Sequence, residues 1–567
     1  MKRKILLIVA AAVVFVGVIF ALFAFNRNEY IVKAAGANAN AFVWHEQISK
    51  DVNSKNIQLV IDGKTVEAHR GKVYMNKELV MMIPSDSLKE ALDCAVNFYN
   101  GEKLIIERGS TIVEMHRASD IVMINNKNVE IKNAIEIIDG VVYVSTDVLT
   151  EAFQYDYVWD AQTITATLTS TVEQQTLPSY YNYMDNGRIP PAKNQGLTGA
   201  CWAFAALNAL ESTLLPEEAY DFSEDHMTLN NSFNSNVSDG GDYLMSLAYL
   251  AAWQGPVLES DDPFGDGETN DELRAVKHVR EAQIIQAKDF IGIKKMVYKY
   301  GAVQSSLYTS MNVVAGYSTY YNPNENAYCY VGIAKPNHDI VIIGWDDEYP
   351  KENFTMDIEG DGAFICMNSW GSSFGNNGVF YVSYYDSNIG VHNIAYTAVD
   401  EADNYDNIYQ YDYCGWIGQL GYGEESAYFA SVYEAQSDED LEAVSFYATG
   451  TDTNYSVYVC PNFESVSSLN IYVTPNAEGS FKNAGYYTVD LKSPVSLTAG
   501  QKYAIIVKIE TPGATRPIAV EFYNDYKTET VTLEGKESYI SLRGFEWENT
   551  QEKHECTVCL KAFTNNK

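Results

Sequence analysis

The chain has 567 residues, enough for several domains, and its 46% hydrophobic content allows large buried cores. Its 75 acidic and 39 basic side chains leave a formal charge of −36 at pH 7. That balance excludes nucleic acid as an expected partner, because phosphate binding needs a basic surface.

The N-terminus comes first. Met1 to Lys4 is basic, and Ile5 to Phe25 carries no charge. The apolar run is long enough to cross a bilayer, and the basic flank places the remaining chain outside the cytoplasm. Two outcomes fit residues 1–27: a retained membrane anchor, or a long signal peptide cut near the small residues between Ala34 and Ala41. Either puts the protein at the outer side of the plasma membrane, at the cell surface, or in the medium. Residues 28–55 are polar and irregular, as in a linker.

Residues 56–172 alternate in short runs such as V-I-D-G-K, L-I-I-E-R and V-Y-V-S, a pattern that predicts strands separated by tight turns. The segment from Ser85 to Leu92 is echoed by that from Thr146 to Phe153. In each copy an Asp or Ser at a helix cap is expected to open a short amphipathic helix, followed by a hairpin. The arrangement resembles the copper amine oxidase N-terminal-like repeat of bacterial surface proteins. It implies a stalk or spacer and no copper. His69 and His116 stand alone in strand-like settings and read as surface or packing residues.

Residues 173–400 mix helical and strand patterns. Cys201 opens C-W-A-F-A-A-L-N-A-L, whose apolar residues recur at helical spacing. A lone cysteine there would be packing. A thiol on the first turn of a helix also meets the positive end of the dipole, which favours the thiolate. A base is available in His338, at the head of the apolar run H-D-I-V-I-I-G-W, and Asn368 follows in M-N-S-W-G. An asparagine can hold an imidazole toward the sulfur, so that a thiolate–imidazolium pair attacks a carbonyl, forms an acyl-enzyme and protonates the leaving amine, and Gln195 can donate to an oxyanion beside the Cys201 amide. The five other histidines (His45, His226, His278, His392 and His554) have no motif around them and read as structural or exposed.

Q-G-L-T-G-A-C-W-A-F, N-H-D-I-V-I-I-G-W and N-S-W-G-S-S-F-G-N-N-G, in that order, resemble the three signature blocks of the papain family of cysteine peptidases. The segments Phe222-Ser223-Glu224 and Asp239-Gly240-Gly241 fall where that family has two further blocks. The resemblance implies an α+β peptidase core with Cys201 as nucleophile, His338 as base then acid, Asn368 as orienter and Gln195 as oxyanion donor. It implies Trp370 as a shield over the His–Asn hydrogen bond, and Gly240 and Gly241 as backbone for an extended substrate. No cofactor or metal is called for, and the partners are protein or peptide substrates.

Four departures stand out. Thr198 and Ser238 occupy places where the family usually has a bridged pair of cysteines. The stretch from Asp346 to Gly362 lengthens the gap before Asn368, and its D-I-E-G-D-G run has only a faint likeness to a calcium loop. Asp339 follows the histidine where the family often has a small residue bordering a substrate pocket, and it is expected there to favour basic or polar side chains. No long helical propeptide precedes the region.

Residues 401–567 return to strands and turns, predicting a β-sandwich similar to the lectin-like module of multidomain peptidases of Gram-positive bacteria. It implies carbohydrate or cell-wall contact. Trp416, Tyr422 and Trp547 could stack on sugars, although core packing is the more ordinary use. Eight cysteines are too few for a disulfide scaffold in an exported chain of this length. Cys556-x-x-Cys559 lacks the second ligand pair of a zinc site, and the run from His554 alternates as a strand would. The chain is thus expected to be a multidomain cysteine endopeptidase. The alternatives are a surface adhesin on an inactive peptidase scaffold, and a Cys–His cell-wall peptide hydrolase.

Overall fold

The structure, a computed structural model, describes residues 49, 52–66, 68, 70–92, 94–99, 102–108, 111–124, 127–161, 163–170, 177–310, 318–470 and 474–567. The membrane-anchor reading of residues 1–27 and the expectations for His45 and His69 lie outside them. No helix of the described residues is long and apolar enough to cross a membrane. The chain forms two compact units, the first ending at Thr176 and the second beginning at Leu177.

The first unit is mainly β. A five-stranded meander runs from Ala95 to Glu130, beside two four-stranded sheets. Both echoed segments are helical, Ser85–Ala91 and Thr146–Phe153. Each is followed by its hairpin, Ala95–Tyr99 with Lys103–Arg108 and Tyr155–Asp160 with Thr165–Ser170. The expected cap forms in one copy only. Ser145 Oγ accepts from Val148 N at 3.4 Å, whereas Pro84 precedes the first helix and offers no side-chain acceptor. Leu88 and Leu149 point from the two helices into one shared core with Ile83, Val113 and Leu168.

The second unit is built on one sheet of 13 strands. The His338–Asp346 strand lies inside this sheet, between Ala363–Met367 and Val303–Leu307. All but its last residue are buried, which explains the unbroken apolar run in the sequence. The Cys201–Leu214 helix packs on this sheet and is buried at 12 of its 14 positions. Such a helix needs no amphipathic stripe, because it lies between the sheet and the Glu224–Leu229 and Tyr243–Ala251 helices.

The sheet does not stop at residue 400. Lys277–Ile284 pairs on one side with Asn393–Glu401 and on the other with Ala484–Leu497, so the C-terminal region continues the same sheet. Gly485 permits this junction. A Cβ there would lie 2.1 Å from Ala282 O, and its φ of +150° suits glycine. Arg280 Nη2 adds an ion pair to Asp490 at 2.6 Å across the same join. A six-stranded sheet, Ala477–Phe481 to Glu548–Asn549, faces the outer strands of the long sheet. Phe429, Val457 and Ile505 meet Leu441, Phe446 and Leu560 between them, as in a β-sandwich.

The expectation of a strand from His554 onward is corrected. His554 ends a short helix, Thr550–His554, capped by Asn549, and the strands resume at Thr557. Cys556 and Cys559 are both buried, in two different cores, and all eight cysteines are unbridged. Trp416 packs on Tyr447, and Trp547 donates to Asn470 at 3.0 Å and lies edge-on to Tyr428. Tyr422 donates to Glu548 at 3.0 Å. All three aromatics are thus engaged within the fold. In the loop likened to a calcium site, Asp361 accepts from the Lys351 amide at 2.9 Å.

Candidate active site

A cleft of about 520 Å³ opens between the start of the Cys201–Leu214 helix and the start of the His338–Asp346 strand. Gln195, Cys201, Gly240, Gly241, His338, Asp339 and Trp370 all line it. Residues spread over 176 positions of sequence thus meet at one surface.

Cys201 is half-buried at the first helical position. His338 Nε2 lies 2.8 Å from Asn368 Oδ1. That oxygen also accepts the Ser369 amide at 2.9 Å, which fixes the carboxamide orientation. With Nε2 on Asn368, Nδ1 is the ring nitrogen left for the thiol. Trp370 stacks on the imidazole, centroids 4.9 Å apart and planes 26° apart, so it covers the ring as a shield would.

Gln195 is positioned by Ser369 and Thr198, two residues of the same sequence blocks with no role readable from sequence. Its backbone N donates to Ser369 O at 2.9 Å, and its Oε1 accepts Ser369 Oγ at 2.5 Å. Its Nε2 donates to Thr198 O at 2.8 Å, which leaves the second amide proton for the cleft. Gly241 must be a glycine, since a Cβ there would lie 2.5 Å from the Trp202 ring.

One expectation needs correction. From sequence, the helix start should lower the Cys201 pKa. Instead burial, helped by the charge of Asp339, pushes it up to about 12, against the pull of the Asp339, Trp202 and Cys201 amides. The dipole of one helix end does not offset the loss of water around a thiolate. Burial likewise pulls His338 down to about 4, against its hydrogen bond to Asn368. Burial thus disfavours the thiolate and the imidazolium when each is taken alone. Asp339 lines the cleft, and its oxygens are engaged within the fold. It is buried, with Oδ1 accepting Ser306 Oγ at 2.6 Å and Oδ2 accepting Gln304 Nε2 at 2.9 Å.

Burial pushes the Asp339 carboxyl up to about 6, so it is charged at pH 8 and neutral at pH 5. Its charge holds the Cys201 thiol up only in the first case. Asp339→Asn is expected to raise the iodoacetamide alkylation rate of Cys201 about three- to tenfold at pH 8, since one pKa unit is a tenfold change in thiolate. The rate at pH 5 should match the parent. Equal rates at both pH values would show that Asp339 does not tune the thiol.

Beneath the cleft, the Lys193 Nζ bridges Glu211 at 2.8 Å, Asp221 at 2.7 Å and Glu224 at 2.9 Å. The spacing of Lys193 two residues before Gln195 carries no periodic signal that could mark it. His392, given no role from sequence, also lines the cleft, its ring tilted against Tyr243 at 5.6 Å.

Comparison with known proteins places this geometry. Residues 177–399 match the papain family cysteine protease model, residues 60–168 the copper amine oxidase N-terminal domain, and residues 408–564 the lectin like domain. The crystal structure of the cysteine protease and lectin-like domains of Cwp84, a surface layer associated protein of Clostridium difficile, is 30% identical. The match covers 69% of this chain and 89% of that one, with a TM-score of 0.60. A second structure of the clostridial cysteine protease Cwp84, of a variant after propeptide cleavage, is 29% identical over 69% of this chain and 100% of that one, with a TM-score of 0.62. Viral cathepsin of Heliothis zea nuclear polyhedrosis virus is 28% identical over 213 residues, 36% of this chain. Cathepsin K of Mus musculus is 27% identical over 228 residues, 39% of this chain. The matches span 52% and 64% of the length of these two curated relatives. With its signature residues gathered in one cleft and its peptidase and lectin-like regions both matched in Cwp84, the chain belongs to the papain family of cysteine proteases.

Proposed function

We propose that the chain is an extracytoplasmic cysteine endopeptidase that cuts peptide bonds through Cys201, His338 and Asn368. The observation that carries this is the 2.8 Å contact of His338 Nε2 with Asn368 Oδ1, in a cleft that Cys201 also lines. As substrate enters, the Sγ proton passes to His338 Nδ1, and the sulfur attacks the carbonyl carbon. The imidazolium then protonates the leaving amine, and water, deprotonated by the neutral ring, releases the acyl group. The Cys201 amide and the second Gln195 amide proton face the developing oxyanion. The basic and then apolar run from Met1 to Phe25 supports a location outside the cytoplasm. The lectin-like region supports a binding role for the C-terminal part, with cell-wall carbohydrate as the candidate ligand.

An epoxysuccinyl inhibitor with mass-spectrometric mapping tests the reading. The expected adduct is on Cys201 alone, lost in Cys201→Ser, with parallel loss of casein cleavage. An unlabelled but folded protein would leave a binding scaffold as the function.

A further inference from the structure

The C-terminal region reaches into the cleft. Its turn at residues 524–530 is self-capped, with Lys527 N donating to Asp525 Oδ1 at 2.9 Å and Thr528 Oγ1 accepting the Asn524 and Asp525 amides at 2.8 and 3.0 Å. The turn is also pinned to the peptidase region. Asn234 N donates to Lys527 O at 2.7 Å, and Asn234 Nδ2 donates to Tyr526 O at 3.1 Å and to Glu529 Oε2 at 3.0 Å. Thr530 Oγ1 donates to Ser232 O. The Lys527 backbone is therefore held in place, and its Nζ lies 3.0 Å from Gly240 O in the cleft wall.

An ammonium has three donors, and Gly240 O takes one. Lys527 is half-buried, and among the described residues it is the sole lysine or arginine lining the cleft. No described carboxylate lies within ion-pair distance of it. The nearby acids are already engaged: Asp239 accepts Asn236 N at 3.0 Å and Asn236 Nδ2 at 2.7 Å, and Asp242 caps the Tyr243–Ala251 helix.

We infer that Lys527 is a specificity-determining residue, supplied to the peptidase cleft by the C-terminal region, that selects peptides carrying Asp or Glu beside Gly240. The inference rests on the peptidase reading. An extended substrate that pairs with the Gly240–Gly241 edge presents a side chain to that wall. A carboxylate there takes the remaining ammonium donors in a charge-assisted bond, in a partly desolvated place where such a bond gains strength. A glutamine offers only a neutral acceptor, and a lysine meets like charge.

The test scans Glu, Gln and Lys through the four positions on the N-terminal side of the scissile bond of a fluorogenic peptide. kcat/KM is measured with the full chain, and binding of the same peptides to Cys201→Ala by fluorescence anisotropy. At one position Glu should exceed Gln by about fivefold, the size expected of a half-exposed ion pair. The ratio should fall to about one in Lys527→Met, persist in Lys527→Arg and invert in Lys527→Glu. A ratio near one at every position in the parent would overturn the inference. So would an unchanged ratio in Lys527→Met, even if all peptides were cut more slowly, since that marks a purely structural lysine. The anisotropy ratio separates the two readings: binding selectivity without cleavage removes the peptidase reading alone, and cleavage without selectivity removes this one alone.

Discussion

Replacing His338 by alanine is expected to lower kcat/KM by about three orders of magnitude, and Cys201→Ala by at least as much. The size follows from the need for a proton acceptor beside a buried thiol. Burial and Asp339 push the thiol up to about 12, so a thiolate with no cation beside it is strongly disfavoured. The nucleophile must therefore be made in the reaction, by proton transfer to a ring that burial keeps neutral above about pH 4. Without that ring the carboxylate beside the thiol is Asp339, whose oxygens are held by Ser306 and Gln304. The sign of the pH dependence follows too. Protonating His338 removes the base, and its pKa is lowered, so the acid limb of kcat/KM should fall near pH 4 and not near the ordinary histidine value of about 6.5. Stopped-flow or initial-rate profiles from about pH 3.5 to about pH 9 decide it. A limb near 6.5 would mean that His338 titrates as an ordinary histidine in spite of its burial, and an alkaline limb from loss of an imidazolium proton would mark a resting thiolate–imidazolium pair instead. Full activity in His338→Ala would end the mechanism.

Much of this site was legible because papain-type chemistry uses local signals. The Cys201 helix announces itself by apolar recurrence, and the His338 strand by an apolar run that burial on both faces requires. Gln195, Asn368 and Trp370 lie in blocks whose order could be read directly. What stayed hidden depends on contacts between distant segments. Lys527 lies 287 residues from the Gly240 carbonyl it touches. Ser369 lies in the N-S-W-G block with no role readable from it, yet its hydroxyl holds the Gln195 side chain and its amide orients Asn368. The thiol pKa escapes the sequence for the same reason: a helix start can be read there, whereas burial and an acid folded in beside it cannot. The sheet that runs through the boundary near residue 400 depends on Gly485, a position whose need for a missing Cβ appears only when Ala282 is packed against it.

Lys193→Met is expected to destabilise the second unit by about 3–5 kcal/mol at pH 8, the usual cost of taking one partner from a buried ionic cluster. The cation is nearly enclosed, and its two main partners, Glu211 and Glu224, are 1% and 2% exposed at their side chains. Burial pushes these acids up to about 7 and about 8, even with Lys193 pulling them back. Raised acids reverse the common sign. Their contribution to stability is present below the unfolded carboxyl pKa and is lost as pH rises through about 7 and about 8, because ionising them in the fold is unfavourable. Without the ammonium both pKa values climb further, so the penalty of the variant should grow with pH and be much smaller at pH 5, where both acids are protonated. Urea unfolding at pH 5 and pH 8 measures this difference, and an equal loss at both would show that Lys193 acts by packing alone. The triple variant Lys193→Met, Glu211→Gln, Glu224→Gln should recover most of the pH 8 loss, since it leaves no unpaired buried charge. The same cluster bears on catalysis. Lys193 O accepts the Gly371 amide at 2.9 Å, and Asn194 bridges to Trp370, so the ion cluster anchors the segment that carries Gln195 against the turn that carries Asn368. Activity in Lys193→Met should therefore fall at pH values where the fold is still intact, with kcat affected more than KM.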